Sequence, residues 1–339
     1  MESRGRTPSS WFRGQSALAG ALILAALYAP AAAGCGGSDS LVLIGGEKVD
    51  AASIDRDPMA LLPSGMVMLG YLDAAQMFAT GIGTEVEQVV TGLLPIGRES
   101  NFVPSRDVAK VYGGLYAMQG ADFCAVLQGN FDVEAIRRSA EARAVTVLGA
   151  SLVKSRYAEN DLFTAGNVGF VALTQHTILT GNETGMRRAL DRLRYGKLER
   201  SAPSWMIDLS STRGASFALA GDLATQAAVA GAAQQIPFIA GLQYVRVTGN
   251  FQPPGVNFAG AFTYTDPQAA ANGAVALRNL EQVARIATLL TSWGMGSVPP
   301  MKVAQSQSDV AFTLPLSDEM VRTLLRTGAE VVRRAAAAR

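Results

Sequence analysis

The feature that most constrains this chain is a set of capping positions that occurs twice at nearly constant separation. Asp132 and Asp266 each precede a helical apolar stripe and lie 134 positions apart. Asn182 and Ser317 do the same at 135, and Asp122 and Asn257 match at 135 near strand-like runs. Asp73 and Asp222, each closing an apolar strand-like run, are 149 apart. An N-cap side chain accepts a hydrogen bond from an otherwise orphaned helix N–H, so such residues mark where helices begin. The pattern predicts an internal duplication, with one module over 57–200 and a second over 201–339. The halves share little residue identity, so element order and cap spacing carry the prediction. Two copies make a pseudo-symmetric pair rather than a solenoid.

Between the caps, apolar periodicity assigns the elements. Pro58 to Pro63 reads as one helical turn, and Met66 to Leu72 as a strand ending at Asp73, which with Gln76 forms a helix-start signature. Val108–Met118 and Asp122–Gly129 read as a hairpin through Gln119-Gly120-Ala121. Val133, Ile136 and Ala140 form a helical face, and so do Met186, Leu190 and Leu193. Strand-like runs lie near Ser151–Tyr157, Gly169–Thr174 and Thr177–Thr180. In the second half, Phe217–Gly221 runs into Asp222 and an Ala-rich helix. Leu242–Phe251 pairs with Val256–Thr265, and Met301–Ser306 with Asp309–Leu316.

In Val256–Tyr264 the residues Val256, Phe258, Phe262 and Tyr264 fall on one face, with Asn257, Ala259, Ala261 and Thr263 on the other. A helix opened by Asp266-Pro267 offers Leu277, Leu280, Val283 and Leu290 to the apolar face. The expected class is α+β, with antiparallel sheets and helices packed on one face.

Composition fits a folded body. The chain has 339 residues, 49% hydrophobic and 17% charged, enough to bury a large core. With 29 basic against 28 acidic residues there is no global field for nucleic acid. Two Cys and one His cannot build a Cys/His zinc site, so any metal would need carboxylates. No cofactor motif is present.

The first 35 residues read as a targeting leader rather than as fold. Arg4, Arg6 and Arg13 precede an apolar run from Ala17 to Ala33, interrupted by Gly20 and Pro30. The run closes on Ala32-Ala33-Gly34-Cys35, and Gly36-Gly37-Ser38-Asp39-Ser40 follows. This resembles a bacterial lipobox. The resemblance implies a signal peptide over 1–34, cleavage by signal peptidase II, and diacylglycerol and acyl chains such as palmitate on Cys35. Residues 35–56 would then be a lipidated tether with one short apolar run, Leu41–Ile44. Gly36 after the Cys implies the outer membrane in diderm bacteria, with the body facing the periplasm or the cell surface. The same leader also admits cleavage after Ala33, which would leave Cys35 free to pair with Cys124. An uncleaved anchor is the third outcome, opposed by Pro30 and by a run of only about 17 residues. Removing three Arg and one Glu with the leader leaves 26 basic and 27 acidic residues. Cys124, within Phe123–Leu127, reads as a small buried hydrophobe.

Catalytic patterns are weak. Ser151-Leu152-Val153-Lys154 has the S-x-x-K spacing of penicillin-binding proteins, with Arg326-Thr327-Gly328 as a loose second motif. That chemistry needs a helix, and this stretch reads as extended, which sends Ser and Lys to opposite faces. His176 sits in a turn without an orienting partner. Asp55-Arg56-Asp57 lacks a calcium loop's Gly and Glu, and Gly81-Ile82-Gly83 lacks a dinucleotide fingerprint. Asp73, Asp122, Asp132, Asp222 and Asp266 are accounted for as caps and strand ends. No catalytic residue is assigned.

The C-terminal segment from Ser317 carries Met320, Leu324, Val331 and Val332 beside several Arg. It reads as a packed terminal helix, with membrane-surface or partner contact as the alternative.

The leading expectation is a non-catalytic envelope lipoprotein acting through an interaction or scaffolding module. It is held to the membrane by its lipid and engages an unidentified protein. The alternative is a carrier or sensor for an apolar ligand or lipid, lined by Met66, Met68, Trp205, Phe258, Phe262, Tyr264 and Trp293. A hydrolase-type enzyme stands third.

Overall fold

The computed structural model describes residues 49–91, 96, 98–116, 122–142, 146, 150–226, 236–291 and 300–326, with backbone only over 280–291. The leader, the lipobox residues Ala32, Ala33 and Gly34, Cys35, Trp293, the Ala-rich stretch 227–235 and the chain after 326 lie outside the described residues. So do the side chains of Leu280, Val283 and Leu290.

Helix α1 (Ala51–Arg56) opens the described chain, capped by Asp50 accepting from Ser53 N, and a 3-10 turn over Pro58–Leu61 follows. Strand β1 (Met68–Asp73) runs into α2 (Ala74–Phe78) and α3 (Gly83–Thr91). After α4 (Pro104–Asp107) come β2 (Val108–Leu115), β3 (Phe123–Gly129) and α5 (Val133–Glu141). Strands β4 (Val153–Tyr157), β5 (Asn160–Ala165), β6 (Val168–Ala172) and β7 (Thr177–Asn182) form a meander that ends in α6 (Glu183–Arg194).

The second half begins with α7 (Ser204–Ser210) and β8 (Phe217–Asp222). It continues with β9 (Leu242–Asn250), β10 (Gly255–Tyr264), α8 (Pro267–Thr291), β11 (Lys302–Ser306) and β12 (Asp309–Ser317). Helix α9 then starts at 318 and is described to 326.

The twelve strands make one antiparallel sheet in the order β11-β12-β10-β9-β8-β1-β2-β3-β7-β6-β5-β4. The fold is α+β. The halves meet where β1 pairs with β8, from Met68↔Gly221 to Leu72↔Phe217. Outward from this seam one half reads β1-β2-β3-β7-β6 and the other β8-β9-β10-β12-β11, and β5 and β4 extend the first. Hairpins and following helices fall at equivalent places in the two series, the order the cap spacing predicts.

Strand alternation divides the sheet into two faces. On the front of the first half, Leu69, Val126, Leu162, Val171 and Leu179 pack beneath Leu61, Leu62, Met186, Leu190 and Met206. On its back, Leu127, Phe163, Phe170 and Ile178 meet Val133, Ile136 and Ala140 of α5. β7 lies between both layers, which is why all six of its residues are buried and its sequence is almost wholly apolar or small. In the second half the back is covered: Val245, Val247, Phe262, Tyr264 and Val310 pack on Ala270, Ala274 and Leu277 of α8. Gly273 allows that close approach, since a Cβ there would stand 2.3 Å from the Tyr264 ring.

The body starts earlier than the sequence predicts. Residues 51–56 are not tether but helix, with Ile54 only 8% exposed in the front core. Asp55 Oδ1 accepts from the Thr174 hydroxyl (2.5 Å) and the Thr177 hydroxyl (2.7 Å), and its carbonyl accepts from Gln128 Nε2 (2.8 Å). This half-buried acceptor with two hydroxyl donors makes α1 part of the body, which therefore begins before Asp57.

Candidate functional site

The two halves treat their front faces differently. Helix α6 follows β7 and covers the front of the first half, whereas α9, which follows β12, goes to the back. There Val321 and Leu325 pack against Met77, Ile82 and Val86, and Arg322 and Arg326 pair with Glu85 at 3.4 and 3.3 Å. α7 roofs the seam, with Trp205 edge-on to Tyr244 at 6.0 Å and Ala218 and Ala220 buried below.

Beyond it, no element among the described residues packs across the front of β9, β10, β12 and β11. The register aligns two rows there: Arg246, Ala261, Ala311 and Ala304, then Thr248, Ala259, Thr313 and Lys302. Six of these eight are exposed, and Thr248 and Ala261 are half-buried. On the front of the first half the register aligns Tyr112, Val126, Leu179 and Val171 in one row and the small Gly114, Cys124, Gly181 and Gly169 in the next, so the halves differ in side-chain size along the first row and in helix placement over both. Small side chains give the surface a low relief.

At one end this face deepens into an open trough of about 530 Å³. Its floor is Thr248, Asn250, Asn257, Ala259 and Thr313, and Arg213 and Lys302 stand among its walls. Arg213 occupies a β-turn in which Ala215 N donates to Thr212 O and Gly214 adopts φ +81°. Ser216 N then donates to Gly249 O at 2.8 Å and ties that turn to β9. Lys302 projects from the edge strand opposite Thr313. No carboxylate among the described residues lines the trough. Asn257 Nδ2 donates to Asn250 Oδ1 and to Gln252 O, which fixes the two amides side by side.

A second depression of about 630 Å³ lies at the far end of the first half. Its ionic groups are engaged internally: Arg106 pairs with Asp107 at 2.6 Å, Asp132 caps α5, and Arg137 donates to Ala172 O.

The residues singled out as ligand-lining divide between two cores. Met68, Phe258, Phe262 and Tyr264 belong to the back of the second half, where Phe262 stacks on Phe238 and packs 4.8 Å from Phe312. Tyr264 is 1% exposed and donates its hydroxyl to Phe238 O at 2.6 Å. Met66, which precedes β1, and Trp205 belong to the front core instead. The sheet stands between the two groups.

The carboxylates sit in structural roles. Asp73 accepts from Gln76 N and Nε2, Asp132 from Ala135 N, Asp266 from Ala269 N and Asp222 from Ala224 N, while Asp122 accepts from Asn182 Nδ2. The backbone donor at Ala269 holds the Asp266 carboxyl below its ordinary range. Among the described residues no three His, Cys, Asp or Glu side chains converge as a metal site. His176 lies exposed in the β6–β7 turn with Nδ1 3.0 Å from Gly129 O. Lys154 lies in β4, paired with Glu141 (2.6 Å) and Asp161 (3.1 Å), so the Ser151–Lys154 pattern is in extended chain as its sequence reads.

Burial pushes the Cys124 thiol and the Tyr264 hydroxyl each up to about 12. Cys124 is a buried free thiol. No helix among the described residues is long and apolar enough to cross a membrane.

No described protein family matches the chain, and no curated protein does. Among solved structures it is similar to TP0453 in crystal form III, with TM-score 0.51 and 9% identity over 79% of this chain and 97% of that one. Crystal form I of TP0453 gives TM-score 0.48 with 10% identity over 80% of this chain and 97% of that one. At such identity the likeness concerns the fold alone.

Proposed function

We propose that this chain is an exported, lipid-anchored protein of the cell envelope whose body is a non-catalytic interaction module, and that the open front face of its second half is the contact surface. The single observation that carries this reading is the asymmetry of the two halves. The front of one is filled with Leu, Val and Met under helices, whereas the front of the other presents Ala, Thr, Lys and Arg without a covering helix among the described residues. A low-relief face with polar groups at its rim matches the composition of non-obligate protein interfaces, which are about as polar as the surface around them. The leader with Cys35 supports the envelope placement. The carrier alternative has no observation in its favour, because its lining residues within the described chain are packed in two separate cores.

The test is site-directed photocrosslinking in intact envelopes. A photoreactive residue in place of Ala261 should yield one adduct of discrete mass, and the same residue at Glu159 in the β4–β5 turn should not. Absence of an adduct at Ala261, or the same adducts from both positions, would overturn the contact-surface reading. The anchor is checked separately: Cys35→Ala should abolish lipid labelling and release the chain from membranes.

A further inference from the structure

We infer that the trough at the end of the open face receives an extended acidic segment of the partner protein, with two carboxylates four residues apart. The inference deepens the contact-surface reading and rests on it.

The first ground is charge. Among the described residues, Arg213 and Lys302 are the only ionic side chains lining the trough, and both are cations. Neither makes a hydrogen bond or ion pair with a described residue, unlike Lys154, Arg200, Arg322 and Arg326, which are paired. Two unpaired cations over a floor without carboxylates attract negative charge, and the non-ionic floor leaves nothing to compete with it.

The second ground is spacing. The loop bearing Arg213 is fastened to β9, and Lys302 lies on β11, three strands away through β10 and β12. Three inter-strand steps span on the order of 14 Å. An extended peptide advances about 3.4 Å per residue and returns to the same face every second residue. Acidic side chains at i and i+4 therefore lie on one face, about 14 Å apart.

The third ground is the floor between the cations. The Thr248 and Thr313 hydroxyls and the Asn250 and Asn257 amides offer donors and acceptors for a peptide backbone. No aromatic ring of the described residues is free there for a sugar to stack on: Phe258, the one aromatic among the described lining residues, packs its ring against Phe217 at 5.0 Å. The same geometry gives a broad lipid surface little purchase, because the cations flank a recess rather than crown a convex patch.

The experiment is fluorescence anisotropy of the full chain with a labelled Ser-Glu-Ser-Gly-Ser-Glu-Ser peptide at low salt. Saturable binding is expected, weakened about threefold by Arg213→Ala or Lys302→Ala alone and at least about tenfold by R213E/K302E. A peptide with its two Glu only two residues apart should bind several-fold more weakly, and raising the salt should release the first. Arg213 and Lys302 are exposed, so these variants keep the fold, and an unchanged thermal transition verifies it.

Equal affinity for R213E/K302E and the parent chain would overturn the proposal. So would stronger competition by an acidic oligosaccharide or by phosphatidylglycerol vesicles than by the unlabelled peptide. Adducts at Ala261 that persist in R213E/K302E, together with unaltered peptide binding, would sink the acidic-segment inference and leave the contact surface standing. Loss of the adduct in the parent chain would sink both.

Discussion

Asp55, Gly273 and Cys124 show how single side chains hold this body together, and each makes a separate demand. Asp55 gathers the Thr174 and Thr177 hydroxyls onto one oxygen and thereby pins α1 to the β6–β7 turn. Asp55→Ala leaves both donors without their charged partner and should cost about 2–3 kcal/mol, read as a lower urea midpoint at unchanged m. Gly273 sits inside a helix, where Gly is disfavoured by about 1 kcal/mol relative to Ala. Gly273→Ala should nevertheless destabilise, by about 1–3 kcal/mol, because its Cβ collides with the Tyr264 ring.

Burial raises the Cys124 thiol from 9.0 to about 12. Its thiolate is thus favoured in the unfolded chain, and the stabilisation it contributes is complete below pH 9 and declines up to pH 12. In that window the loss is about 1.4 kcal/mol per pH unit for this group. Cys124→Ala should remove this share of the alkaline slope in denaturation curves taken from pH 8 to 12. An unaltered slope would show that the thiol is not held in an apolar site.

At the scale of elements, most of the secondary structure was legible because its signals are local. Asp73, Asp132, Asn182 and Asp266 all accept from the N–H expected of a cap, and α5 buries the Val133, Ile136 and Ala140 face its periodicity marks. Strand β5 lacks a clear sequence signal because Asn160 and Asp161 open it and only Leu162, Phe163 and Ala165 are apolar. Helix α3 escaped sequence reading because no capping side chain stands directly before Gly83, and α7 because it is short. Val86 and Val90 at i, i+4 in α3, and Pro203 before Trp205 and Met206 in α7, were the available cues.

The two helix starts after the hairpins differ in depth. Asn182 is 4% exposed, accepts from Gly185 N and Phe123 N, and donates to Asp122, so it joins α6 to β3. Ser317 only accepts from Met320 N, at 3.4 Å. Asn182→Ala should therefore cost about 2–4 kcal/mol and Ser317→Ala less than about 1 kcal/mol, a contrast that thermal melts of the two variants would display.

At the scale of the whole molecule, cap spacing revealed that two similar series of elements exist, but not that β1 and β8 weld them into a single sheet. That pairing joins residues about 150 positions apart and leaves no local trace in either strand. The front trough was hidden for the same reason. The polar alternation of β10 shows in the sequence, yet Arg213 and Lys302 meet only through the sheet order. On the proposed function, the front of the second half is open in the isolated chain and occupied in the envelope.

The direct measurement is thiol footprinting of chains carrying Ala259→Cys, Ala261→Cys or Ala311→Cys, reacted with a maleimide as purified protein and in native envelopes. Cys124 stays silent in both, being buried and un-ionised. All three introduced thiols should react rapidly in the purified protein and be protected in the envelope, with Glu159→Cys labelled equally in both. Equal labelling of the front-face positions in the two settings would contradict the claim.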